Sequence, residues 1–122
     1  MKNKREIGSF YETQVAAVLE AQGYEILEQN FRCRFGEVDL IARHQGYLVF
    51  VEVKYRSNVL YGSPAEAVGH KKQQRISNCA SFYLYSRHYP LHTPCRFDVA
   101  AVGADGIHVY ENAFPYEGQF LR

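Results

Sequence analysis

Three charged residues interrupt two apolar, strand-like runs of this chain: Asp39 in residues 37–43, and Glu52 and Lys54 in residues 47–54. Carboxylates and an ammonium are costly inside an apolar run unless they are paired or bind a metal. Metal-dependent phosphodiester cleavage would account for all three. The carboxylates would hold a hard cation, and the ammonium would offset charge on the reacting phosphate. The plainer alternative is a solvated sheet face with a cross-strand ion pair.

Register sharpens this reading. Gln45-Gly46 lies between the runs and suits a tight two-residue hairpin turn. Counting outward from that turn sets His44 against Tyr47, Asp39 against Glu52 and Glu37 against Lys54. Directly opposed residues share a face with Cβ atoms roughly 4.5–5.5 Å apart. Two carboxylates at that spacing repel unless a cation lies between them. A four-residue loop with the same centre keeps the pairing. A three-residue loop without a bulge sends Asp39 and Glu52 to opposite faces.

The elements that would position these residues can be read along the chain. In residues 7–22, Tyr11, Val15, Val18 and Leu19 recur at helical spacing, and Gly23 is placed to end the helix. Residues 24–31 predict a peripheral strand, followed by the two strands of the hairpin. Ser63-Pro64-Ala65-Glu66 reads as a capping box with proline at the first helical position. The helix it opens is expected to run to about Ser86, with a bend or break near Gly69. Residues 95–102 and 107–110 read as two more strands around the turn at residues 103–106. Residues 111–122 carry no clear pattern and are expected to form a loose tail. The predicted order is α-β-β-β-α-β-β: an α/β fold with a mixed five-stranded sheet flanked by helices.

Bulk properties narrow the function classes. The 122 residues suit one domain with a real core, and the 47% apolar content is ordinary for a soluble globular protein. The net charge of +1 supplies no global basic field, so polyanion binding would need local clusters. Cys33, Cys79 and Cys95 are far apart in sequence and form no Cys-x-x-Cys pair, which argues for reduced thiols over zinc or a disulfide framework. The amino terminus has no apolar signal segment, and no run approaches the ~20 apolar residues of a membrane span. The expected location is the cytoplasm, with no membrane partner.

Taken together, the motifs resemble the YraN-like bacterial family of the PD-(D/E)XK nuclease superfamily, related to archaeal Holliday-junction resolvases. The matching stretches are Gly8 to Glu12, Gly36-Glu37-Val38-Asp39-Leu40-Ile41-Ala42, and Phe50-Val51-Glu52-Val53-Lys54 with Arg56. Lys72 to Ile76 with Ala80, Arg96-Phe97-Asp98 and Glu111-Asn112-Ala113-Phe114 also match. The first signature element is Val38-Asp39 where the superfamily name has Pro-Asp. The resemblance implies a restriction-endonuclease-like core in residues 1–114, with 115–122 as an unassigned C-terminal tail. It also implies metal-dependent cleavage of nucleic acid.

On this reading Asp39 and Glu52 would anchor Mg²⁺, with Mn²⁺ as a substitute, and the Val53 carbonyl would be a third ligand. Lys54 would orient the attacking water or neutralise the developing charge. Glu12, on the first helix, would complete the shell or hold a second metal; otherwise it is an exposed helix glutamate. Arg56, Lys71, Lys72 and Arg75 would grip phosphates, Lys71 and Arg75 as an i, i+4 pair on one helix face. Arg32 and Arg34 would touch the backbone from a loop before the hairpin. Phe82, Tyr83, Tyr85 and Tyr89 suit core packing or a dimer contact better than base stacking. Asp98 beside Arg96 reads as a buried structural ion pair.

The expected function is a Mg²⁺-dependent endonuclease acting on DNA ahead of RNA, on branched or flapped structures. The alternatives are a non-catalytic nucleic-acid-binding module that keeps the nuclease fold, and an interaction protein using its sheet edge and aromatics. Symmetric branched DNA would suit a two-fold homodimer.

Overall fold

A computed structural model describes residues 4–55 and 67–118 of the chain. Its elements are α1 (Lys4–Ala21), β1 (Glu25–Cys33), β2 (Gly36–His44), β3 (Tyr47–Tyr55), α2 (His70–Ser86), β4 (Cys95–Gly103) and β5 (Gly106–Tyr110). The strands form one sheet in the order β1-β2-β3-β4-β5. All neighbours are antiparallel except β3 and β4, which run parallel. Parallel neighbours need a long crossover, and α2 lies within it. This is the mixed α/β arrangement expected from the sequence, with β1 on an edge.

The two helices cover opposite faces. On one side Val15, Ala16 and Leu19 of α1 pack against Leu40, Ala42, Val49, Val51 and Val53. On the other, Ile76, Cys79, Ala80, Tyr83 and Leu84 of α2 pack against Val38, Ile41 and Phe50. A central sheet buried on both faces explains why the hairpin strands read as apolar runs rather than strict alternation. Gly23, at φ +95°, ends α1 in a left-handed conformation, and the Tyr24 N–H reaches back to the Leu19 carbonyl at 3.0 Å. Among the described residues, no helix is long and apolar enough to cross a membrane.

The hairpin closes as counted. Gln45 and Gly46 both have positive φ, 52° and 85°, the conformation a two-residue I′ turn requires. His44 pairs with Tyr47, and the register holds to Leu40 against Val51. The ladder stops there, so the two expected pairs beyond it, Asp39 against Glu52 and Glu37 against Lys54, are not rungs. Glu37 pairs instead with Arg32 on β1, Nε to Oε2, at 2.8 Å.

Other expectations change. Helix α2 begins at His70 with Gly69 as its N-cap, so the chain is not helical where a bend or break was expected, and the Ser63–Glu66 capping box lies outside the described residues. The cysteines distant in sequence are not all distant in space: the Cys33 and Cys79 sulfurs lie 3.5 Å apart, both as free thiols. The described part of the segment expected to be loose, residues 111–118, is docked. Phe114 is buried and stacks on Phe97, the Glu117 N–H donates to Ser77 Oγ at 2.9 Å, and the Tyr116 and Ser81 hydroxyls bond at 2.8 Å. Phe114 supplies the apolar anchor, and the serines of α2 satisfy polar groups that would otherwise be costly to bury.

Asp98 is fully buried in a polar clamp. Arg96 donates to both its oxygens at 2.8 and 2.9 Å, Tyr24 Oη to Oδ2 at 2.7 Å, and the Asn112 N–H to Oδ1 at 3.0 Å. Arg96 also meets His44 Nδ1 at 2.8 Å, and the His44 ring stacks on Tyr24. This joins β4 to the end of α1, the hairpin turn and the exit from β5, and it uses every oxygen of Asp98 structurally.

Candidate functional site

The site lies toward the carboxyl end of β3. Glu12 enters from α1, at the head of the buried stripe Glu12, Val15, Ala16, Leu19, whose i, i+3, i+4, i+7 spacing aims all four at the sheet. That stripe was the sequence signal that Glu12 is not an exposed helix glutamate. Asp39 enters from β2 and Glu52 from β3, and the Glu52 side chain is only 3% exposed.

Beyond the Leu40–Val51 rung, the Val53 N–H donates to Asp39 Oδ2 at 2.8 Å. A side-chain carboxylate takes a strand amide here. This contact fixes Asp39 where it can hydrogen-bond with both Glu12 and Glu52. Val53 therefore enters the site through its amide, a group that sequence reasoning did not single out.

Three carboxylates in one place change one another's chemistry. Burial first, and then the charge of Asp39, push the Glu12 carboxyl up to about 7 against the pull of an Asn30 hydrogen bond. Burial and then Asp39 also push Glu52 up to about 7, with Lys72 opposing. Burial disfavours the Lys72 ammonium, but the Glu52 carboxylate outweighs it and holds the Lys72 pKa above its ordinary value. Lys72 Nζ forms an ion pair with Glu52 Oε2.

The lysines thus divide differently from the expectation. Lys72, expected to grip phosphate, is the resident counter-ion of Glu52. Lys54 alternates onto the Glu52 side of β3 and makes no ion pair among the described residues. Lys71 and Arg75 are exposed on the amino-terminal half of α2. The β1–β2 turn adjoins them: a Cβ built on Gly36 would stand 3.7 Å from both Arg75 Cβ and Cys79 Sγ. Arg32 on that hairpin is committed to Glu37, whereas Arg34 lies over the Phe35 ring at 4.9 Å. Arg56 lies outside the described residues.

No group of three or more His, Cys, Asp or Glu side chains forms a ready metal cage among the described residues. Mg²⁺ does not need one, since it binds through one or two carboxylates and keeps several waters. The donor set here is all oxygen, and burial, then the charge of Asp39, raises two of its carboxyls, Glu12 and Glu52. These residues fit a hard divalent cation.

Comparison with known proteins places the chain. Residues 11–102 match the model of a family described as "Uncharacterised protein family UPF0102". The chain belongs to the UPF0102 family. A UPF0102 protein of Lachnoclostridium phytofermentans is 51% identical over 116 residues, 95% of this chain and 98% of that protein. One from Hahella chejuensis is 50% identical over 94 residues, covering 77% of this chain and 75% of its own. One from Caldanaerobacter subterraneus is 46% identical over 100 residues, 82% and 81% respectively. The YraN-like grouping expected from the motifs is this same family. Its matched region contains every residue of the carboxylate cluster and both lysines. The UPF0102 description states no activity.

Proposed function

We propose that this UPF0102 chain is a Mg²⁺-dependent endonuclease of the PD-(D/E)XK type that hydrolyses phosphodiester bonds in branched or flapped DNA. The observation that carries this reading is the convergence of Asp39, Glu52 and Glu12 from three elements, beside Lys54 and Lys72. Asp39 and Glu52 would hold the cation, with Glu12 completing its shell. When bound, the cation would polarise a phosphate oxygen and acidify an attacking water. The chain's own residues do the rest. The Val53 amide orients Asp39, Lys54 is placed to neutralise charge developing on the phosphate, and Lys71, Arg75 and Arg34 hold the flanking backbone.

A second reading has its own support. A lysine seated on Glu52 is what a metal-free binding module with the same fold would keep to neutralise its buried carboxylate. Metal titration of wild type and Glu52→Ala, alongside cleavage assays on labelled linear, flap and four-way DNAs, separates the two. Cleavage that needs Mg²⁺ or Mn²⁺ and is lost in Glu52→Ala supports the nuclease. Tight binding without cleavage on any substrate supports the module.

A further inference from the structure

We propose that Phe10, Tyr11 and Tyr55 form a stacking site for an unpaired nucleobase beside the carboxylate cluster, which makes locally single-stranded nucleic acid the preferred ligand. This rests on the nucleic-acid reading of the same site.

The three rings form one group. Phe10 and Tyr11 meet edge to face at 5.5 Å, and Tyr11 meets Tyr55 at 5.6 Å. Phe10 is 46% exposed and Tyr55 47% exposed, whereas most other aromatics among the described residues, Tyr47 and Tyr85 excepted, are at least partly buried. Tyr47, also exposed, stands at the opposite end of β3 from the cluster. Phe82 and Tyr83 pack in the core, as their sequence suggested, and Tyr85, 73% exposed, lies thirteen residues along α2 from Lys72.

Position makes the exposed rings informative. Tyr11 precedes Glu12 on α1, and its contact with Tyr55 sets the group on the α1 side of the cluster. Burial first, and then the charges of Glu12, Asp39 and Glu52, push the Tyr55 hydroxyl up to about 12. The cationic stretch of α2 borders the same carboxylates through Lys72. The cluster therefore has a cationic border that suits phosphates and an aromatic border that suits a base. A continuous duplex keeps its base faces stacked internally and offers none to the rings. A frayed, flapped or single-stranded nucleotide does, whatever its sequence, because every base has a π-face.

The test measures binding of the full-length protein in Ca²⁺ to a single-stranded DNA carrying 2-aminopurine, to its duplex, and to the RNA of the same sequence. Wild type is expected to quench the 2-aminopurine and to prefer the single strands; the DNA and RNA arms tell which sugar is favoured. Tyr55→Ala and Phe10→Ala should each weaken single-strand binding roughly 5- to 100-fold, the range of one base–aromatic stack. Duplex affinity should stay within about twofold. Tyr55→Phe keeps the ring and should bind as wild type, whereas Tyr55→Leu keeps an apolar surface and should behave like Ala. Single-strand affinity unchanged in Tyr55→Ala, Phe10→Ala and Tyr55→Leu would overturn the stacking site while leaving the nuclease reading intact. The same result with loss of self-association in sedimentation would overturn it in favour of a contact between copies of the chain. Failure of wild type to bind any of the three nucleic acids would overturn both.

Discussion

The Val53 amide and the Asp39 carboxylate meet at 2.8 Å where the β2–β3 ladder ends. Asp39 therefore does two jobs: it satisfies a strand amide and it offers charge to the site. The two are separable. Asp39→Asn keeps an acceptor for the amide and removes the charge, whereas Asp39→Ala also strands the amide. Calorimetry should show Mn²⁺ affinity reduced at least ~10-fold in both. Chemical denaturation should show an additional loss of about 1–3 kcal/mol confined to the Ala variant. Equal stability of the two variants would mean that the amide contact contributes nothing.

Lys54 and Lys72 should give opposite signatures. Lys54→Ala removes no ligand, so metal affinity should persist while cleavage falls by ~10²–10³, the usual loss for one preorganised electrostatic group. Lys72→Ala removes the resident ammonium from Glu52. Metal affinity should rise because a competing cation is gone, and the metal-free protein should melt earlier. A Lys72→Ala protein with weaker metal binding would show that Lys72 supports the site rather than competing for it.

The raised carboxyls set a pH dependence of stability. Glu12 and Glu52 shift from 4.5 to about 7, so the folded state holds their protons more tightly than the unfolded chain. Where the folded state binds more protons, stability falls as pH rises. Their contribution to metal-free protein should therefore decline from pH 4.5 to about 7 and level off above. Mg²⁺ should raise the melting temperature more above pH 7 than below pH 5, since it binds the ionised form. Glu52→Gln should flatten both trends in thermal melts with and without EDTA.

Salt dependence distinguishes free cations from committed ones. Lys71 and Arg75 are exposed on α2, whereas Lys72 is paired with Glu52. Replacing Lys71 and Arg75 by Ala should flatten the log–log salt dependence of duplex binding by roughly 0.9 per lost phosphate contact. Adding Lys72→Ala should change the slope less than either of the others. A slope untouched by the double substitution would mark these residues as a solvated face only.

The Arg96–Asp98 pair is structural. Both side chains are buried, at 7% and 0% exposed, so removing Asp98 leaves the Arg96 guanidinium with only the longer 3.5 Å pair to the half-exposed Glu111. Asp98→Ala should cost about 3–5 kcal/mol in urea denaturation. At a temperature where the variant remains folded, metal affinity should be unchanged. A loss of metal binding in folded Asp98→Ala would tie the clamp to the site.

The features legible in the sequence were those that a short window specifies. Gln45-Gly46 can adopt the two positive-φ conformations of a tight turn, and the two-residue period of a strand then carries register outward as far as Leu40 and Val51. The helical period placed Glu12 on the stripe of Val15, Ala16 and Leu19, although that stripe had to be followed one turn toward the amino terminus to be seen. No local window encodes how two helices seat on opposite faces of a sheet. That docking brought Lys72 to Glu52, brought Cys33 to Cys79 across 46 residues, and closed Tyr24 on Asp98 across 74. It also separated the rings that fill the core, such as Tyr83, from Tyr55 and Phe10, which stay about half exposed. The charged residue types pointed to metal and phosphate chemistry. Which lysine neutralises which carboxylate was decided by long-range packing, because side chains far apart in sequence meet only once the core between them has formed.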